Sequence, residues 1–286
     1  MSSYEFTADI KRFSPDTTHY SGENALVLAD CAKLSYDKEL VISNALDTWN
    51  LNKFKFFDGP NTGTQAYIAG NDRFIIVAFR GTEITKIKDL KTDAELGLVD
   101  GPVGMVHDGF YKALKEVWYD AQDGSEQMLS YLKNNLDNNQ TVWFCGHSLG
   151  AAVATLAAAE YVFKNDGDFN GLYTIGQPRT GNRRFASQFD KRLLGKSYRI
   201  VNNNDVVTRI PLPGFLLKYV HIGNLLYIDS KGKLNDSVSI WNRGVDMFKG
   251  VLADVGKLGP DNLKDHSSAN YVALLKNNRG VVTKWS

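Results

Sequence analysis

Residues 141–159 read TVWFCGHSLGAAVATLAAA: a short β-branched and aromatic run, a glycine-flanked turn, then a long small-residue segment. The run is apolar enough for a strand buried on both faces. The segment after it, apolar from Leu149 to Phe163 apart from Glu160, is helical in pattern and shorter than the roughly 20 residues of a membrane span. Between them, Gly146-His147-Ser148-Leu149-Gly150 matches G-x-S-x-G. Glycines two positions either side of a serine let the chain turn sharply from strand to helix without a Cβ clash, which exposes the hydroxyl. The turn also puts the Leu149 amide at a helix N-terminus, where backbone donors and the helix dipole favour developing negative charge. A bare G-x-S-x-G arises by chance in roughly one chain of this length in ten or fewer. The strand before it and the helix after it are the context that the chemistry requires.

Working outward, GENALVLADCAKLSY at 22–36 spaces its apolar residues as a helix. Phe54–Phe57, Thr64–Ala69 and Phe74–Phe79 are strand-like runs separated by the turn signals DGPNTG and GND. A helical pattern from about Phe110 to Leu136 leads to the strand TVWFC. After the Ala-rich helix come the strand LYTI, a helix around Asn182 to Leu194, the strand YRIV, a hairpin built from YVHI and LLYI, and helices for the C-terminal third. Alternating helices and continuous apolar strands predict an α/β architecture with a mostly parallel central sheet covered by helices on both faces. With no internal repeat, low-complexity tract or Pro/Gly/Ser-rich linker, residues 1–286 are expected to form a single domain.

Composition narrows the function classes. Thirty-three basic residues against 32 acidic ones leave a formal charge of +1, with no footprint for nucleic acid or another acidic polymer. The first residues, MSSYEFTADIKRFSPD, lack the apolar core of a secretory signal and the Arg/Ser-rich amphipathic character of a transit peptide. The expectation is a soluble protein without a transmembrane segment, its mature chain starting near Met1, cytoplasmic or exported without a cleavable N-terminal signal. Of the two cysteines, Cys145 falls in a buried strand, and both it and Cys31 are expected to be free thiols.

A serine hydroxyl needs a histidine to take its proton and a buried carboxylate to hold that histidine in the right tautomer. In a strand-turn-helix context the chain order is Ser, Asp, His. Asp205 follows YRIV in the loop NNNDVVTRIP, at the strand end where an open α/β sheet carries its site. An Asx turn would explain it equally. Asp229 also follows a strand, but in IDSKGK, a polar turn suited to a surface hairpin. Five histidines compete for the base. His19 lies upstream in a polar segment, His147 is held by the turn itself, and His107 and His221 have apolar surroundings suited to structural hydrogen bonds. His266, in a polar loop before a helix, is the base by elimination. Such chemistry requires no metal and no organic cofactor.

Seven motifs in order resemble the class 3 lipase family, the group that includes the filamentous-fungal triacylglycerol lipases. They are FRGT (79–82), VHDGFYKAL (106–114), GHSLGAA (146–152), TIGQPRTGN (174–182), NDVVTRIP (204–211), YVHIGN (219–224) and DHSSANYV (265–272), spread over roughly residues 64 to 272. The resemblance implies an α/β-hydrolase fold with Ser148 as nucleophile, Asp205 as orienting acid, His266 as base, and Thr82 beside Leu149 at the oxyanion. Thr82 also follows the strand FIIVAF at its C-terminal end, where its amide and hydroxyl can point at an acyl oxygen. His107, Gly176, Gln177, Pro178, Arg179 and Gly181 belong to the same motifs and are read as structural. From Ile84 to Leu98, Ile84, Ile87, Leu90, Ala94 and Leu98 share one helical face. The resemblance makes this a mobile lid; an ordinary amphipathic helix has the same pattern. Leu90 stands where related lipases often carry tryptophan, which argues against strong activation at a lipid surface.

The implied activity is two-step carboxylic ester hydrolysis through an acyl-enzyme. Acylglycerol esters rank first as substrate, met through transient contact with a lipid surface. Phospholipase, galactolipase or feruloyl-type esterase activity ranks second, ahead of an acyltransferase or a non-catalytic binding relative.

Overall fold

A computed structural model describes residues 4–81, 97–203, 205–211, 219–236 and 265–283. In chain order, β1 (Tyr20–Ser21) leads into α1 (Gly22–Leu34) and α2 (Glu39–Thr48), followed by the meander β2 (Lys53–Gly59), β3 (Thr64–Gly70) and β4 (Phe74–Phe79). The ribbon β5 (Leu98–Asp100) and β6 (Met105–His107) precedes α3 (Asp108–Trp118) and α4 (Met128–Asn135). Then come β7 (Thr141–His147), α5 (Leu149–Lys164), β8 (Gly171–Ile175), α6 (Arg183–Leu193), β9 (Ser197–Asn202), β10 (Asn224–Ile228) and β11 (Leu234–Asn235). The last described elements are α7 (Ser268–Asn278) and β12 (Val282–Thr283), and β12 pairs with β1.

Eight strands form one sheet in the order β11-β10-β9-β8-β7-β4-β3-β2. Its centre, from β4 through β7, β8 and β9 to β10, is parallel, with antiparallel strands at both edges. The α/β-hydrolase architecture expected from the motifs is the one found. Strand periodicity explains how helices cover both faces. In β4, Ile75, Val77 and Phe79 point into the core under α3, α4, α5 and α6, whereas Phe74, Ile76 and Ala78 point into the core under α1, α2 and α7. The pattern repeats in β7, with Val142 and Phe144 on the first side and Trp143 and Cys145 on the second. Each of these large side chains, fully withdrawn from water, contributes about 1.5–3 kcal/mol. Cys31 and Cys145 are buried free thiols, as expected.

Several expectations change. The helical pattern over 110–136 is two helices, α3 and α4. Between them the chain turns through Asp120 and Asp123, whose carboxylates accept the amides of Gln127 (2.8 Å) and Ser125 (2.9 Å). Those local bonds stabilise a turn at the expense of helix. The strand LLYI forms its hairpin with Leu234–Asn235 and not with YVHI. Val220 makes only an isolated bridge to Gly181, and Ile222 is buried by the α6 core. Helix α2 has no counterpart in the sequence reading: ELVISNALDT is short and partly β-branched, and it is helical because Ile42, Ala45 and Leu46 bury against α1 and the sheet. Leu98, assigned to the amphipathic helical face, lies in strand β5.

Glu160, the interruption in the apolar run of α5, is buried and sits against two tyrosines. Tyr111 donates its hydroxyl to Oε1 (2.5 Å), and Tyr119 donates to Oε2. Hydrogen bonds to a charged acceptor are worth about 1.5–3 kcal/mol, and a buried carboxylate robbed of a donor loses that order. Tyr111→Phe should therefore lower unfolding free energy in urea by about 1.5–3 kcal/mol. Lys112→Ala, which removes an exposed partner of Asp108, should stay within about 0.5 kcal/mol. Equal effects from the two changes would contradict the account of Glu160.

Candidate active site

The parallel strands bring their C-terminal ends to one edge of the sheet, so the residues that follow β4, β7, β8 and β9 converge there. At the end of β7 the chain reverses into α5 through Ser148, whose φ of 60° and ψ of −129° are a conformation that side-chain-bearing residues rarely adopt. Such a residue costs about 1–3 kcal/mol and persists only where its surroundings over-determine it. Three contacts do so. The Ser148 amide donates to the Ile175 carbonyl at 2.9 Å, pinning the turn to β8. A Cβ on Gly146 would strike the Gly150 carbonyl, and one on Gly150 would strike the Phe79 carbonyl and Arg80 backbone. Both glycines are thus required for close approach between helix and strands, while the strained dihedral falls on the serine itself. Leu149 is the first residue of α5, so its amide has no acceptor within the helix.

Asp205 follows β9 and is fully buried. Its amide bonds the Asn202 carbonyl (3.1 Å) and its Oδ1 accepts the Val207 amide (2.9 Å), which closes the loop around it. Oδ2 takes two more donors, His266 Nδ1 at 2.8 Å and the Tyr271 hydroxyl at 2.6 Å. Facing a carboxylate, Nδ1 is the donor nitrogen, which leaves Nε2 as the ring nitrogen directed away from the acid group of Asp205. Among the described residues, neither His266 Nε2 nor Ser148 Oγ has a hydrogen-bond partner, although both are buried. The hydroxyl and the ring nitrogen thus both keep unused hydrogen-bonding capacity.

The pairing depends on residues whose role is not visible in their local sequence. Gly176 has a φ of +61°, and a Cβ there would lie 2.9 Å from Asp205 Oδ2 and 3.0 Å from His266 Cε1. It follows Ile175, whose carbonyl holds Ser148, so the serine and the Asp205–His266 pair meet across one peptide. Tyr271 lies in DHSSANYV, five residues beyond His266, and its oxygen accepts the Asn202 amide at 2.9 Å while its hydroxyl bonds Asp205. Burial, then the neighbouring Asp205, pushes its phenol well above the ordinary tyrosine range, so it remains a donor. His147 packs its ring over that of His266, centroids 4.6 Å apart.

The rival residues lie elsewhere. Asp229 accepts the amides of Lys231 (2.9 Å) and Lys233 (3.0 Å), and these bonds within the β10–β11 turn hold its carboxyl below the usual range. His107 caps α3 by accepting the Phe110 amide (3.3 Å) and stacks on Phe110. Burial lowers the pKa of His107 and, more strongly, that of His221. Gln177 donates to Thr180 (2.9 Å), and Arg179 donates to the carbonyls of Arg209 and Pro211, bracing the loop that carries Asp205. Thr82, Ile84, Ile87 and Leu90 lie outside the described residues. Among the described residues no group of three or more His, Cys, Asp or Glu side chains is arranged to hold a metal ion, and no helix is long and apolar enough to cross a membrane.

Residues 76–215 match the model of the family described as lipase (class 3). A secreted mono- and diacylglycerol lipase of Fusarium solani is 33% identical over 213 residues, covering 72% of this chain and 60% of that protein. A chloroplastic phospholipase A(1) of Arabidopsis thaliana is 34% identical over 203 residues, covering 65% and 42%. The chain spans about half the length of the curated relatives it matches, from 42% to 60%. Among solved structures, a triacylglycerol lipase described as having a serine protease triad for its catalytic centre superposes with a TM-score of 0.62 at 25% identity, covering 85% of this chain and 92% of that one. With the family model across its central strands and lipases on every side in sequence and fold, this chain belongs to the class 3 lipases.

Proposed function

We propose that the chain is a serine carboxylic ester hydrolase that cleaves acylglycerol esters through an acyl-enzyme on Ser148. The observation that carries this reading is the buried His266–Asp205 pair with its unpartnered Nε2, together with the unpartnered hydroxyl of Ser148 on its strained elbow. In the first step Ser148 Oγ attacks the ester carbonyl as its proton passes to His266 Nε2. The tetrahedral oxyanion is met by the Leu149 amide at the start of α5 and, by its motif, by Thr82. Collapse of the intermediate expels the alcohol, which takes the proton from His266, and leaves the acyl group on Ser148. Water then repeats the sequence: His266 takes its proton, the acid departs, and Ser148 regains its hydrogen. Asp205 keeps Nδ1–H directed inward and stabilises the imidazolium that forms in each half. No cofactor or metal enters these steps.

Acylglycerols rank first because the Fusarium relative and the superposed structure bear acylglycerol lipase names. A phospholipid is the second reading, favoured by the phospholipase relative, and its acyl ester undergoes the same chemistry. The segment with Ile84, Ile87 and Leu90 is read as the part that meets a lipid surface, and residues 1–286 as one domain. Release of fatty acid from di- and triacylglycerol at rates above those from phosphatidylcholine and galactolipid is the expected profile. The reverse ranking would transfer the substrate class, and no hydrolysis of any ester would sink the enzyme reading.

Ser148→Ala should abolish turnover with little loss of stability, since it deletes one hydroxyl and no core volume. Turnover above a tenth of wild type would contradict the nucleophile. His266→Ala should behave likewise, whereas His107→Ala should act through stability by uncapping α3.

Asp205→Asn keeps the shape but favours the wrong imidazole tautomer, a change that costs about 10⁴ in turnover in serine proteases. A loss of several orders of magnitude is expected here, against a few-fold change for Asp229→Asn on the same soluble ester. A nearly active Asp205→Asn enzyme would move the acid elsewhere.

A further inference from the structure

We propose that Tyr36 is a positioning residue of this site, which through His147 fixes the backbone that carries His266. The kinetic consequence rests on the hydrolase reading above; the geometry does not. His147 Nε2 lies 2.6 Å from the His266 carbonyl oxygen, and its Nδ1 lies 2.8 Å from the Tyr36 hydroxyl. A carbonyl oxygen only accepts, so Nε2 carries the hydrogen. Burial, reinforced by the neighbouring His266, depresses the His147 pKa well below the ordinary histidine value, so the ring is neutral and Nδ1 presents a lone pair. Tyr36 must then donate. Burial raises its phenol despite the nearby Arg80 guanidinium, and the proton stays on it. Every direction in the chain is forced: Tyr36 O–H to Nδ1, then Nε2–H to the carbonyl of His266.

The consequence follows from imidazole tautomerism. Without the Tyr36 hydroxyl, Nδ1 becomes a buried acceptor with no donor, and the Nδ1–H tautomer gains on the Nε2–H form. That tautomer sets a lone pair against the His266 carbonyl and releases the backbone of the base. The two rings are packed together, so a shift of His147 also displaces the imidazole of His266. The same hydroxyl lies over the exit of β4, where a Cβ on Gly81 would run into it and into the His147 carbonyl. Tyr36, just past the end of α1, thus ties the β4 exit to the elbow and, through the elbow, to the loop of the base. Nothing in the reaction requires its oxygen to touch substrate.

The experiment records the side-chain ¹⁵N resonances of His147 and His266 in wild type and Tyr36→Phe, together with kcat and KM on a soluble ester. Wild type should show His147 as a single Nε2–H tautomer. Tyr36→Phe should show averaged His147 nitrogens and displaced His266 nitrogens. Its kcat should fall about 10- to 100-fold, the order expected when a reacting group is misplaced, with KM within about threefold. Unchanged imidazole resonances, or changed resonances with unchanged kcat, would overturn the proposal. If wild type hydrolyses no ester, the hydrolase reading fails while the resonances still decide whether Tyr36 sets the tautomer. Should Tyr36→Phe not fold, His147→Gln, whose amide can still donate to the carbonyl, should retain at least tenfold more turnover than His147→Met. Equal turnover from those two would also overturn it.

Discussion

The structure depends on one backbone constraint: a non-glycine residue held at φ 60° where β7 becomes α5. Relaxing that dihedral would swing Ser148 away from the sheet edge, so the neighbouring contacts serve to prevent it. Helix α5 approaches β4 closely enough that only glycine fits at 150, and the Ser148 amide is bonded to β8. Strain stored at one residue is kept by packing spread over the central strands, the usual arrangement where a reactive group must stay in place.

Around that point the polar groups are arranged in a definite hierarchy. Asp205 is buried, yet its carboxylate has three donors, from Val207, His266 and Tyr271. Three donors on a buried carboxyl group satisfy its oxygens and fix its orientation. His266 is fixed at Nδ1 by Asp205 and at its carbonyl by His147, and among the described residues its Nε2 has no partner. Gly176 makes the arrangement compact, since any side chain there would enter the space between Asp205 and His266.

Much of this was legible in the sequence wherever the cause is local. The elbow is written in five consecutive residues between a strand and a helix, and the loop that carries Asp205 stands out because an open sheet exposes the C-terminal ends of its strands. His266 emerged by elimination, helped by a chain with few histidines. Tyr36 and Tyr271 carry no sequence signal, because their partners His147 and Asp205 lie 111 and 66 positions away and no spacing rule connects them. Gly176 was read as structural because a glycine's neighbours across a sheet are invisible in one dimension. The errors in secondary structure share this origin. Helix α2 depends on burial against α1, the break after α3 depends on aspartate side chains competing for backbone amides, and YVHI lost its hairpin to packing against α6.

The central claim of the hydrolase proposal is that Ser148 is its activated hydroxyl and that His266 activates it. Treating the protein with a fluorophosphonate ester and locating the adduct by peptide mass spectrometry tests this without a choice of substrate. The attacking hydroxyl displaces fluoride and leaves a phosphonylated serine. A single adduct on Ser148 in wild type, formed far more slowly in His266→Ala, is the result expected. Labelling on another residue, or labelling of Ser148 at an unchanged rate without His266, would contradict the account.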